Sequence, residues 1–288
     1  MKEGDFAISA QEMGGGMQNA IVLAILQAFE ETRRKGAILL IEEPEMFLHP
    51  QTQRSLYKTM REIGRTNQII YATHSPHFVS VPEYNEVLLV RRGEVGTTVR
   101  LSDLPTNDRR REKLVKELDP ERNELFFARR LLIVEGDTEK LAFPVYAARM
   151  GLDLDREGAT IVEVGGKKNL IEFARIAISF GIPTGIVYDE DSSDFDAKQK
   201  KEEEAYNASL SALAKDDKSV CVWRFAPRYE RHLRDSLGEE KYQALCQKFP
   251  NVGKPTQARL IALEGGTPIP KPVDEIIEWL AGRSGTRN

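Results

Sequence analysis

The sequence predicts an α/β protein built from two successive α/β units. Three observations lead there. Short apolar runs alternate with amphipathic stretches of helical length, the pattern of a mostly parallel sheet flanked by helices. A charged stretch with no strand pattern, 103–127, separates two such series. Carboxylates recur immediately after the apolar runs, at the edge where open α/β sheets bind ligands.

In the first series, 17–35 reads as a helix, with apolar residues at Ile21, Ala24, Ile25, Ala28 and Phe29. The run 37–41 is expected to be a strand buried on both faces, because a continuous apolar run suits a parallel sheet covered by two layers. A helix over 51–63 and strands over 68–72 and 86–91 follow. In the second series, a strand over 131–135 leads to a helix over 138–150. A strand over 160–164, a helix over 170–180 and a strand over 184–188 come next. The polar segment near 194–217 is a helical insertion, 219–225 a further strand, and the remainder mostly helix, ending in a loose tail at 284–288.

Composition limits the function classes. The chain has 288 residues, 41% of them hydrophobic and 30% charged, which suits a soluble globular protein with a sizeable core. No apolar run approaches the roughly 18 residues of a membrane span, and no secretory leader opens the sequence. The expectation is a cytoplasmic protein with no membrane partner. Cys221 and Cys246 are the only cysteines. Two isolated thiols do not make a zinc site, and no disulfide is suggested. The net charge of −4 does not mark the whole chain as a nucleic-acid binder. A DNA-acting protein with this balance needs local basic patches, or metal ions that offset clustered carboxylates.

In the first half, the strand at 37–41 delivers Glu42 and Glu43 at its C-terminal edge. One such acid can hold magnesium through water while the next orients the attacking water in nucleotide hydrolysis. Gly14, Gly15 and Gly16, followed by Met17 and Gln18, make a glycine turn before a helix, which suits backbone contact with a phosphate. His74 lies just past the strand at 68–72. An acidic pair after a strand is commonplace on its own. The order of glycine turn, acidic strand end and histidine-bearing strand end resembles the ABC-type ATPases. On that resemblance Gly14, Gly15, Gly16 and Gln18 match the signature loop, with Gly14 where serine is usual. Glu42 and Glu43 match the Walker B acids, with Glu43 the catalytic candidate, and His74 matches the switch histidine. The stretch Phe47-Leu48-His49-Pro50 replaces the usual Asn or Asp loop, a form similar to the OLD (overcoming lysogenization defect) branch. No G-x-x-x-x-G-K-[ST] phosphate loop occurs in the sequence, so ATP is expected to bind only when a longer protein supplies that loop.

In the second half, Glu135 ends an apolar strand, Gly136 permits a tight turn, Asp137 is a candidate N-cap and Glu139 falls in the first helical turn. Glu139 also complements the helix dipole, which does not explain Glu135 at a buried strand's exit. The strand at 184–188 runs into Asp189-Glu190-Asp191, and strand periodicity puts Asp189 and Asp191 on one side. Carboxylates gathered from neighbouring strand ends repel unless a cation sits among them, and oxygen-only donors select magnesium, manganese or calcium over zinc.

These residues resemble the Toprim domain of topoisomerases, primases and OLD-family nucleases. Residues 134–139 match its glutamate motif, Asp189-Glu190-Asp191 its D-x-D motif, and the loop Gly165-Gly166-Lys167-Lys168 the glycine loop before its second helix. The two halves together have the OLD arrangement over nearly the whole chain. The resemblance implies an ABC-type ATPase C-terminal lobe over 1–102, a helical linker over 103–127 and a Toprim nuclease domain over 128–288. It implies Glu230 as a further metal ligand and Lys254 as a contact to the scissile phosphate.

The function expected is metal-dependent endonuclease cleavage of DNA by two-metal phosphodiester hydrolysis. Glu135, Asp189 and Asp191 would hold one magnesium or manganese ion and Glu139 and Glu230 the other, with calcium as a non-catalytic substitute. Glu135, Asp189 and Lys254 are the catalytic candidates. In a longer protein the ATPase half would dimerise around ATP and gate the nuclease, and a helicase-type partner is a further expectation. The alternative is an ATP-switched DNA-binding or repair scaffold with an inactive Toprim domain. A strand-passing topoisomerase is disfavoured, because no region has room for a separate tyrosine-bearing domain.

Overall fold

The computed structural model describes residues 2–3, 6–7, 21–22, 24–26, 28–29, 36–93, 96–105, 114, 120–190 and 197–283, without the side chains of residues 197, 199 and 216. Gly14, Gly15, Gly16, Gln18 and Asp191 lie outside these residues, as do most of the expected linker and the tail at 284–288. The chain forms two compact units, Met1–Ser80 and Val81–Asn288.

In the first unit, β1 (Ile38–Glu42) pairs in parallel with β2 (Gln68–Ala72), joined by α1 (Pro50–Gly64). Pro50 opens α1, where its missing N–H costs nothing and its fixed φ favours the first turn. Leu56, Met60 and Ile63 recur at helical spacing and pack with Leu26 and Phe78. Of the expected helix at 17–35, the described residues 21–22, 24–26 and 28–29 are helical. The expectation that 37–41 is buried on both faces is corrected. Ile38 and Leu40 are 66% and 73% exposed, and Ile70 beside them is 49% exposed. Leu39, Ile41, Ile69 and Tyr71, on the alternate face, pack against the apolar cluster of α1. Among the described residues only that face is covered, so the continuous apolar run reads as buried on both faces when one is open.

The second unit opens with a hairpin, β3 (Leu88–Gly93) and β4 (Gly96–Leu101), paired antiparallel. The sequence reading missed β4, whose Thr97, Thr98 and Arg100 break the apolar run used to find strands. The hairpin belongs to this unit and not to the first: Arg91 donates to the carbonyl of Ala128, and the Ser179 hydroxyl donates to Ser102 at 2.8 Å. The compact units thus divide near residue 80, whereas the sequence places the border at 102.

A four-stranded parallel sheet forms the heart of this unit. Its strands are β5 (Arg130–Val134), β6 (Ala159–Glu163), β7 (Thr184–Asp189) and β8 (Val220–Phe225), in the order β8-β7-β5-β6. The chain passes from β5 through α2 (Asp137–Arg149) to β6 on one side. It then returns through α3 (Lys167–Ser179) to β7 on the other side of β5. Both crossovers being right-handed, this reversal puts α2 and α3 on opposite faces. The central strands are accordingly buried, Leu131 to Val134 completely. The insertion is one long helix, α4 (Ala197–Asp216), that precedes β8. Four helices follow: α5 (Tyr229–Leu237), α6 (Glu239–Lys248), α7 (Lys254–Leu263) and α8 (Val273–Leu280). Phe143 and Tyr146 of α2 join Ala258 and Ile261 of α7 and Ile276 and Ile277 of α8 in one core with Leu132 and Val134. Among the described residues no helix is long and apolar enough to cross a membrane, and both cysteines are free thiols.

Candidate metal centre

The strand order places a topological switch point between β5 and β7, the two neighbours from which the chain departs in opposite directions. Beyond the carboxyl ends of such strands a crevice opens, because the following connections diverge to opposite faces. Glu135 directly follows β5, and Asp189 is the last residue of β7. The two acids, 54 positions apart in sequence, meet there: the backbone N–H of Asp189 points to Glu135 Oε2 at 3.5 Å.

Each acid is held by backbone. Gly166 donates its N–H to the Glu135 carbonyl at 2.9 Å. It does so at φ 107°, a conformation that L side chains rarely adopt. The Tyr229 N–H, in the first turn of α5, donates to Asp189 Oδ1 at 2.9 Å, so Asp189 also satisfies one of the helix's orphan donors. Glu190 turns elsewhere and pairs with Arg224 at 3.4 Å, as strand alternation requires. Asp191, its expected companion, lies outside the described residues.

Glu139 lies in the first turn of α2 and is only 6% exposed. Helix α2 starts at Asp137 with Gly136 in the cap position and no side-chain cap bond, so the expected capping role of Asp137 is not taken up. Burial pushes the Glu139 carboxyl up to about 8. The negative charge of Asp189 is the second cause of that rise, a backbone hydrogen bond opposes it, and Glu135 and Glu230 contribute to it. Four of the predicted acids therefore share one electrostatic neighbourhood.

Among the described residues no three carboxylate, histidine or cysteine side chains are gathered closely enough to hold one ion as they stand. The donor chemistry nonetheless fits a hard divalent cation. All the donors are oxygens, and the one most buried, Glu139, has its carboxyl raised by burial first and by neighbouring acids second, a rise that a cation would reverse. Lys254 opens α7 and lines the same groove as Glu230.

The sequence reading named Lys167 only within the glycine loop and gave it no role. It is 7% exposed, donates from Nζ to the Asp189 carbonyl at 2.6 Å, and lies 2.7 Å from Glu203 Oε2 of α4. The second contact is an ion pair without hydrogen-bond alignment. Lys167 thus ties the long insertion to the Asp189 end of β7. The available signal was a lysine opening a helix straight after two glycines.

In the first unit Glu43 and His74 lie just past the ends of adjacent parallel strands, with His74 Nε2 3.9 Å from Glu43 Oε1. Glu43 adopts φ 45°, unusual for a residue with a side chain. Glu45, which was not predicted as a site residue, holds this arrangement: its Oε1 accepts from Thr73 Oγ1 at 2.8 Å and from the His74 N–H at 2.6 Å. Glu42 closes β1 opposite Ala72.

Comparison with known proteins agrees with this architecture. Residues 126–191 match the family described as overcoming lysogenization defect protein-like, TOPRIM domain, and residues 2–79 match the AAA ATPase domain family. The chain is 32% identical over 296 residues to the OLD nuclease of Thermus scotoductus, covering 95% of this chain and 56% of that protein. It is 28% identical to the Old nuclease of Escherichia phage P2, covering 62% of this chain and 33% of that one. Over 46% of this chain and 22% of the relative it is 30% identical to the endonuclease GajA of Bacillus cereus. The chain thus spans about half, or less, of the length of the relatives it matches. Fold, site and matches define the class first: a TOPRIM domain following an AAA-type ATPase segment. The chain belongs to the OLD family.

Proposed function

We propose that this chain carries the cleavage centre of a magnesium- or manganese-dependent DNA endonuclease. The observation that carries the reading is the approach of Asp189 to Glu135 across the switch point, 3.5 Å from backbone N–H to Oε2, beside a buried Glu139 whose carboxyl is pushed up by burial and by the charges of Asp189, Glu135 and Glu230. Such a cluster is stable with all its acids ionised only beside compensating cations. Glu135, Asp189 and Asp191 would hold one divalent ion and Glu139 and Glu230 a second, which when bound supply water activation and leaving-oxygen stabilisation. The Tyr229 N–H and the Lys167 ammonium fix the side chain and carbonyl of Asp189, so that edge is preorganised before substrate arrives. Lys254 would neutralise charge developing on the phosphate. The relatives named as nucleases support this reading.

Gly14, Gly15, Gly16, Gln18, Glu42, Glu43 and His74 are proposed as the nucleotide-sensing part of a complete ATPase in a longer protein, active as a homodimer. The test is cleavage of supercoiled plasmid with magnesium, manganese, calcium or chelator. Cleavage with the first two alone supports the proposal. DNA binding without cleavage under every condition would replace it with the scaffold reading.

A further inference from the structure

Helices α5 and α7 bound a groove of about 350 Å³, of which the expected chemistry uses only Glu230 and Lys254. Its charged lining consists of Arg228, Arg231, Arg234 and Lys254 against the single carboxylate of Glu230. Four cations facing one acid stand out in a chain whose net charge is −4. Arg231 and Arg234 lie three apart on α5 and so neighbour each other on its surface, and Arg228 sits at the N-cap before the first turn. From Arg231 to Arg234 the helix rises about 4.5 Å at ~1.5 Å per residue, and Arg228 extends the track beyond its first turn.

The arginines are held in ways a phosphate can displace. Arg231 pairs with Asp235 at 3.0 Å and Arg234 with Glu239 at 3.4 Å, and all four side chains are substantially exposed. Exposed pairs of this kind contribute little, about 0–1 kcal/mol. Arg234 also lies over the ring of Tyr242, 5.1 Å from its centroid, inside the same groove. The ring thus holds the Arg234 guanidinium within the groove, beside Arg231 and Lys254, where a phosphate can meet it. Glu230 fixes the direction, because it both lines the groove and acts on the buried Glu139.

We propose that this groove binds the phosphate backbone of one DNA strand next to the cleavage position, with Arg228, Arg231 and Arg234 as the phosphate contacts. The inference rests on the nuclease reading and adds the path of the substrate. It also supplies the local basic patch that a chain of net negative charge needs.

The test uses the full chain carrying Asp189→Asn, so that bound DNA is not cut. Fluorescence anisotropy with a labelled single-stranded oligonucleotide is measured over a salt series. Arg231→Ala with Arg234→Ala is expected to lower the slope of log K against log salt by about 1.4, at ~0.7 for each phosphate no longer neutralised. Lys at both positions keeps the charges and is expected to restore most of the slope. An unchanged slope in the Ala pair overturns the proposal, as does a Lys pair no better than the Ala pair, since the arginines would then act through packing. Plasmid cleavage by the unmutated chain is scored separately. Cleavage with an unchanged slope removes the groove and leaves the nuclease; a lowered slope without cleavage removes the nuclease and leaves the groove.

Discussion

Replacing Glu139 by Gln tests the electrostatics of the metal centre without any substrate. The Glu139 carboxyl rises from 4.5 to about 8 on folding, burial being the largest cause and Asp189 the next. Between those values the folded chain holds a proton that the unfolded chain has released. Stability contributed by the neutral carboxyl is therefore fully present below about pH 4.5 and is lost as pH rises towards 8. At ~1.36 kcal/mol per unit, the loss between pH 5 and pH 8 is about 3 kcal/mol. Glu139→Gln has no proton to lose and nearly the same shape. Urea unfolding in chelator at pH 5, 6, 7 and 8 should give a parent curve that falls with pH by about 3 kcal/mol more than the variant's. A constant offset from the amide cancels in this comparison. Excess magnesium should flatten the parent curve, since a cation stabilises the ionised carboxylate, and should affect the variant less. Parent and variant curves that stay parallel within ~0.5 kcal/mol in chelator would refute the argument that Glu139 is buried among like charges.

Asp189→Asn should abolish cleavage with an unchanged circular dichroism spectrum, because the amide oxygen still accepts the Tyr229 N–H; cutting at the parental rate would remove Asp189 from the site. Lys254→Ala should lower single-turnover cleavage about a hundredfold or more, the usual cost of ~2.7–4 kcal/mol for removing a charge that stabilises the transition state, with metal affinity unchanged in titration. Lys167→Met leaves the Asp189 carbonyl and Glu203 without their ammonium, so urea unfolding should show a loss of about 3 kcal/mol. Adding Glu203→Gln should recover part of that loss, and strictly additive effects would show that the two do not interact. The chain alone should not bind ATP by calorimetry, because its sequence contains no phosphate loop beside which Glu43 and His74 could act.

The alternation of strands and helices from 131 to 225 was legible in the sequence because its central strands are short runs such as Leu131 to Val134, hidden from water by helices on two faces, and its outer strands are still mostly apolar. Burial on both faces leaves a continuous apolar signature, and the acids that follow Val134 and Tyr188 stand out against it. The same rule read 37–41 as covered on both faces, where the described residues cover one, and it passed over 96–101, an exposed strand with no apolar run. Local spacing could pair Glu135 with Glu139 four residues on. What joined that pair to Asp189 was strand order, because β7 returns to the far side of β5 and turns positions 54 apart in sequence into neighbours. Burial, not residue type, separated Glu139 from the other acids by raising its carboxyl. Only the packing of α4 near α3 brought Glu203 to Lys167, and only the meeting of α5 and α7 gathered three arginines and Lys254 around one groove. Sequence patterns report which face of an element avoids water, whereas contacts between elements depend on the order and direction in which the chain returns to its sheet.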